Sequence, residues 1–159
     1  MSFKDKQLVG AAGEHLVLSR LLTRGYLAAQ APRGVRKADI LVNHLDGKSS
    51  VLIQVKTRQN EIEGTWMLTK KIEDIRDDDL FYCLVDLKPE NSKVYVMPSE
   101  VLAEVTKIQH ETWLAIPGKN GKEHVDTDMR TISNKFPFPV SIAPDGWMNY
   151  YLENWNLIG

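Results

Sequence analysis

Apolar residues recur at helical spacing through the first part of the chain. Leu8, Ala12 and Leu16, then Leu18, Leu21 and Leu22, mark the face of a helix predicted from about Asp5 to Arg24. Ala11-Ala12-Gly13 makes one stretch of it thin and suited to close packing on a sheet. Gly25 ends it as a residue able to take positive φ. Tyr26 to Ala31 reads as a short strand before Pro32. Two apolar runs follow, Ala38-Asp39-Ile40-Leu41-Val42 and Val51-Leu52-Ile53-Gln54-Val55-Lys56. The tight-turn signal Leu45-Asp46-Gly47-Lys48 separates them, which predicts a β-hairpin. Each run is apolar nearly throughout, with polar residues near an end, as in strands covered on both faces.

Farther along, Trp66, Leu68, Ile72 and Ile75 fit a helix over 66–75. Leu80 to Leu87 predicts a buried strand, and Val94 to Met97 another after the turn at Pro89-Glu90-Asn91-Ser92. Ser99 is placed to cap a helix running to about Leu114. Residues 117–135 are polar and read as a long loop, with a short strand at Arg130-Thr131-Ile132. Pro144-Asp145-Gly146 precedes a final predicted helix carrying Trp147, Tyr150, Tyr151, Trp155 and Leu157. No repeat, low-complexity tract or linker divides the chain. The expectation is one α/β domain over 1–159, a mixed sheet of about four or five strands with helices on its faces.

Composition narrows the class. The chain has 159 residues, 43% hydrophobic and 26% charged, which excludes a disordered or fibrous protein. Twenty Lys and Arg against 21 Asp and Glu give a net charge of -1. That excludes a polybasic coat for nucleic acid but leaves room for a local basic site. Cys83 is the only cysteine, so no internal disulfide forms; mid-strand among apolar residues, it reads as inert. No apolar run reaches membrane length and the first residues do not resemble a signal peptide, so the expected location is the cytoplasm, with no membrane partner. Gly47-Lys48-Ser49 mimics the end of a phosphate-binding loop, but Val42 stands where its first glycine belongs, so no nucleotide cofactor is expected.

The candidate chemistry sits at strand ends. Gln54 and Lys56 are two residues apart and share a strand face. Asp39 comes beside Gln54 if the hairpin register is ordinary, and Glu14 lies on the first helix next to its thin stretch. Two carboxyls, an amide oxygen and a lysine suit phosphodiester hydrolysis with Mg²⁺, which takes hard oxygen ligands. Asp39, Gln54, the Val55 carbonyl and Glu14 are the candidate metal ligands, and Lys56 would orient water or steady developing charge. The loop before Asp39 carries Arg33, Arg36 and Lys37 and no acidic residue. It reads as a solvated loop or as a phosphate clamp; Thr57 and Arg58 extend the same strand toward a phosphate. Lys70 and Lys71 suit a charged helix face, and the four tryptophans suit packing. His124 and Arg130 lie in the polar loop.

Glu14, Asp39 and Gln54-Val55-Lys56, in that order and on those elements, resemble the PD-(D/E)XK nuclease superfamily. The likeness is strongest to branches with a glutamate on the first helix, such as archaeal Holliday-junction resolvases. Gln54 departs from the usual acidic residue, as in the Gln-x-Lys of Mrr-like restriction endonucleases, and Ala38 stands for the motif's proline. The segments Tyr95 to Ser99, Trp113-Leu114, Gly121 to Arg130 and Tyr151 to Trp155 resemble small bacterial proteins of the superfamily. The resemblance implies a restriction-endonuclease-like fold. It also implies a Mg²⁺-dependent deoxyribonuclease, with Mn²⁺ able to substitute, that hydrolyses DNA as a homodimer. Glu14, Asp39, Gln54 and Lys56 would be its catalytic residues. The alternative is a nuclease-like fold that has lost catalysis and binds DNA or a protein.

Overall fold

A computed structural model of the protein describes residues 5–32, 34, 38–47, 49–59 and 64–159. The first helix, α1, runs from Lys6 to Thr23, and the Asp5 side chain caps it by accepting from the Gln7 N–H at 2.8 Å. Gly13, Val17 and Leu21 are its buried line, spaced by four, whereas Leu8 and Leu22 are exposed. The helix is therefore turned so that its thinnest residue meets the sheet.

Five strands follow in one mixed sheet: β1 (Leu27–Gln30), β2 (Ile40–Asn43), β3 (Ser50–Arg58), β5 (Leu80–Asp86) and β6 (Lys93–Pro98). Their spatial order is β1-β2-β3-β5-β6. All neighbours are antiparallel except β3 and β5, which are parallel. A parallel pair needs a crossover connection. Residues 59–79 supply it, and they contain β4 (Thr65–Thr69) and a 3₁₀ turn over Lys70–Asp74. The helix expected over 66–75 is thus a strand and a single tight turn. Its four apolar residues satisfy both periods, but Trp66 and Leu68 alternate with exposed Met67, and the Trp66 indole N–H donates to the Val85 carbonyl at 3.3 Å. β4 pairs antiparallel with β7 (Met129–Ser133) in a separate two-stranded ribbon.

The sheet divides two cores. Val51, Ile53 and Val55 pack with Val17 and Leu21 of α1 on one face. On the other, Leu80, Tyr82 and Leu84 meet the ribbon's Trp66 and Ile132 and Leu102 of α2 (Ser99–Ala115). Ser99 opens α2 without capping it. Its hydroxyl accepts from the Asp77 N–H at 2.9 Å and donates to the Asp77 carbonyl at 2.8 Å, tying the crossover to the helix. The expected final helix is two 3₁₀ turns, Trp147–Tyr151 and Trp155–Leu157. Glu153 lies between them at φ 52°, and its carboxylate accepts from the Val94 N–H at 2.9 Å and the Trp155 indole at 3.0 Å while pairing with Arg20. Those bonds hold the kink. Among the described residues no helix is long and apolar enough to cross a membrane.

Gly13 sets the distance between α1 and β3. A Cβ there would overlap the Thr57 side chain, hydroxyl and carbons alike. Gly13→Ala should lower stability by about 1–3 kcal/mol despite alanine's better helix propensity, because rigid neighbours must shift. Urea unfolding checks this; a gain in stability would mean that α1 slides freely on the sheet.

Candidate functional site

The hairpin ladder ends with Ile40 opposite Ile53, and Asp39 sits in the bend just before β2, where the register slips by one residue. The Asp39 N–H donates to the Ile53 carbonyl at 2.8 Å. One step on, its carboxylate Oδ2 accepts from the Val55 N–H at 2.7 Å. The side chain of Asp39 thus occupies the position in which a longer β2 would have offered a backbone carbonyl. A strand residue directs its N–H and C=O to the same neighbour, so the Val55 carbonyl faces this edge too.

Gln54 and Lys56 project from β3 on the face away from α1. They line a cleft of about 420 Å³ whose other walls include Tyr82, Met67, Met129 and Lys71. The ribbon forms the outer wall, and Tyr82 is the registered neighbour of Gln54 on β5. Neither Asp39 nor Glu14 lines this cleft. Glu14 comes from α1, on the opposite side of the sheet. Burial, and then the charge of Asp39, raise its carboxyl above the ordinary glutamate range, while His15 acts the other way. The two carboxyls therefore sense one another.

The oxygens at this edge are carboxylate, amide and backbone carbonyl, the hard donors that Mg²⁺ takes, and the two carboxyls repel each other in a way that a cation relieves. Among the described residues, no group of three or more His, Cys, Asp or Glu side chains is placed to hold a metal. A divalent ion here would depend on the Gln54 and Val55 oxygens as well as the two acids.

The remaining candidates are dispersed. Thr57 turns toward α1, with its hydroxyl oxygen buried and unbonded. Arg58 is only 5% exposed. Its guanidinium lies 3.0 Å from Asp86 and 4.6 Å from the centre of the Trp66 ring, so its charge is directed inward. Arg33, Arg36 and Lys37 lie outside the described residues. Lys70 and Lys71 are exposed at the end of the ribbon, on the 3₁₀ turn. His124 stacks on Trp113 with ring centres 3.9 Å apart, and buried Arg130 pairs with Glu73, so both hold the polar loop in place. Burial pushes the Cys83 thiol far up, which keeps it unreactive at neutral pH. A larger hollow of about 550 Å³ lies between α2 and β7, and no predicted site residue lines it.

Tyr82 escaped the reading of the sequence. It is fully buried, its hydroxyl has no hydrogen-bond partner, and burial pushes the phenol up to about 12. The signal was one hydroxyl in the middle of the apolar run Leu80 to Leu87, where it must find a partner or cost stability.

Among known proteins, no family profile and no curated sequence matches the chain. Among solved structures, the fold is similar to that of the bacterial homing endonuclease I-Ssp6803I. The TM-score is 0.58 with 17% identity, over 98% of this chain and 92% of that one. At that identity the likeness is one of fold. The chain is a mixed α/β domain with a nuclease-like fold.

Proposed function

We propose that the chain is a metal-dependent DNA endonuclease of the PD-(D/E)XK type, acting through Asp39, Gln54, Lys56 and Glu14. The observation that carries this reading is the register of the hairpin. It ends at the Ile40–Ile53 pair and brings the Asp39 carboxylate to the Val55 backbone, between Gln54 and Lys56 in sequence. The similarity of fold to a homing endonuclease supports DNA as the substrate.

Asp39, Glu14, Gln54 and the Val55 carbonyl would hold Mg²⁺, with Mn²⁺ able to replace it. Such an ion, when bound, lowers the pKa of a coordinated water and offsets charge on the attacked phosphate. Lys56 donates only, so its role is to hold the attacking water or a phosphoryl oxygen by hydrogen bonds. Asp39 fixes the edge at which these groups meet. The basic loop with Arg33, Arg36 and Lys37 would contact phosphates. A cut through both strands calls for two such sites, which a homodimer provides.

The test is a cleavage assay with Mg²⁺ and Mn²⁺ on linear, nicked and branched DNA, with Lys56→Ala as control. Metal-dependent cutting that vanishes with Lys56→Ala supports the reading. The scarcity of clustered acids favours one rival, a nuclease fold that binds without cutting. DNA binding with no cleavage under either metal would establish that rival.

Gln54 supplies an oxygen without charge. Gln54→Glu adds an anionic oxygen at nearly the same size and should raise metal affinity, shifting cleavage to lower metal concentration. Titration of activity against Mg²⁺ measures this, and an unchanged or weakened metal requirement would remove Gln54 from the ligand set.

A further inference from the structure

Tyr82 stands next to Gln54 in the β3–β5 ladder, and its side chain forms part of the cleft that Gln54 and Lys56 line. It is fully buried, yet its hydroxyl makes no hydrogen bond. Buried polar groups are nearly always paired, so one left open at a candidate site points to a partner that arrives later. Side chains stand roughly perpendicular to a sheet whose strands lie about 4.8 Å apart, so the ends of a registered Tyr and Gln come within reach of one another.

A glutamine has a problem in a metal site that a carboxylate does not. Its two ends differ, and only the oxygen can bind a cation. When the oxygen turns to the ion, the NH₂ end needs an acceptor. Lys56 and Lys71 only donate, and most other walls of the cleft are apolar. Two side-chain hydroxyls remain, those of Thr69 and Tyr82. Thr69 is exposed and has water to bond with, while the hydroxyl of Tyr82 is sealed from it.

We infer that the Tyr82 hydroxyl is the positioning partner of Gln54. When the carboxamide oxygen turns to the metal edge, the hydroxyl accepts a hydrogen bond from the Gln54 side-chain NH₂, one not formed in this structure, and so holds that oxygen in place. This inference rests on the proposed nuclease reading and explains how an amide serves where an acid is usual.

The experiment compares the parent, Tyr82→Phe, Gln54→Glu and the double variant. Each is assayed for urea stability and for Mn²⁺ affinity by electron paramagnetic resonance without DNA. Tyr82→Phe should be as stable as the parent or more so, because it deletes an unpaired hydroxyl. Its Mn²⁺ affinity should fall about three- to tenfold, the worth of one hydrogen bond. In the Gln54→Glu background the same change should leave Mn²⁺ affinity unaltered, since a carboxylate has no wrong end. The inference is overturned if Tyr82→Phe binds Mn²⁺ like the parent, or if affinity falls equally in both backgrounds. A parent that binds no Mn²⁺ and cuts no DNA defeats the nuclease reading and, since the bond forms only as the amide turns to the ion, this inference with it.

Discussion

Asp39→Asn is expected to abolish cleavage, by at least about a hundred- to a thousandfold. The substitution separates two roles of one side chain. Asparagine keeps an oxygen that accepts from the Val55 N–H, so the edge of the hairpin and the fold should survive. What is lost is the negative charge, together with the second oxygen, which an NH₂ group replaces. A donor then faces the point where a cation belongs. Circular dichroism and urea unfolding should match the parent within about 1 kcal/mol, the scale of one hydrogen bond. Lys56→Ala should differ in kind, keeping Mn²⁺ binding and losing cleavage. An Asp39→Asn protein that cuts at the parental rate would end the proposed mechanism.

The largest effect on stability is expected at Asp86. Its carboxylate is 3.0 Å from Arg58, with both side chains almost wholly enclosed, and its oxygens make no aligned hydrogen bond. Lys88 approaches the same carboxylate at 3.5 Å from the surface. Asp86→Ala leaves the Arg58 charge buried under Trp66 without its partner, and should cost about 3–5 kcal/mol. Replacing both partners with apolar residues, Arg58→Met with Asp86→Leu, should cost much less, because no charge then remains inside. Urea unfolding of the two proteins gives the comparison. A loss below about 1 kcal/mol for Asp86→Ala, the range of an exposed pair, would show that Arg58 swings out to water. Such an Arg58 would be free to meet a phosphate, so this measurement bears on the site as well.

Much of the fold was legible because its elements have one dominant period. The helical spacing of Leu8, Ala12, Leu16 and Leu21 marks α1, though not the line Gly13, Val17 and Leu21 that it buries, and the apolar runs around Asp39 and Gln54 mark a hairpin. The run Leu80 to Leu87 fits only a strand covered on both faces, and all seven residues of β5 are buried. Residues 66–75 were illegible for a physical reason. β4 gains its stability from a partner strand far along the chain, and local periodicity carries no trace of that pairing. The final turns failed similarly, since the positive φ of Glu153 is held by the distant Arg20 and Val94 as well as by Trp155 two residues on. At the site, the approach of Asp39 to the stretch Gln54-Val55-Lys56 could be read because a hairpin is local. The inward turn of Arg58 could not, since Asp86 meets it only through the parallel ladder.

The ribbon that walls the cleft joins partners about sixty residues apart or more, with Thr69 paired to Met129 and Thr65 to Ser133. Between them the chain lays down β5, β6 and α2. Closing so long a loop is entropically costly until the intervening elements are in place. The ribbon should therefore zip up late in folding, on a sheet already assembled, and be among the first parts to let go. The cleft is accordingly the youngest part of the molecule in folding order. Amide protons of Leu68 and Ile132 should exchange through partial openings that leave those of Tyr82 and Cys83 protected. A substrate backbone could then enter by parting two strands while the rest of the sheet stays whole.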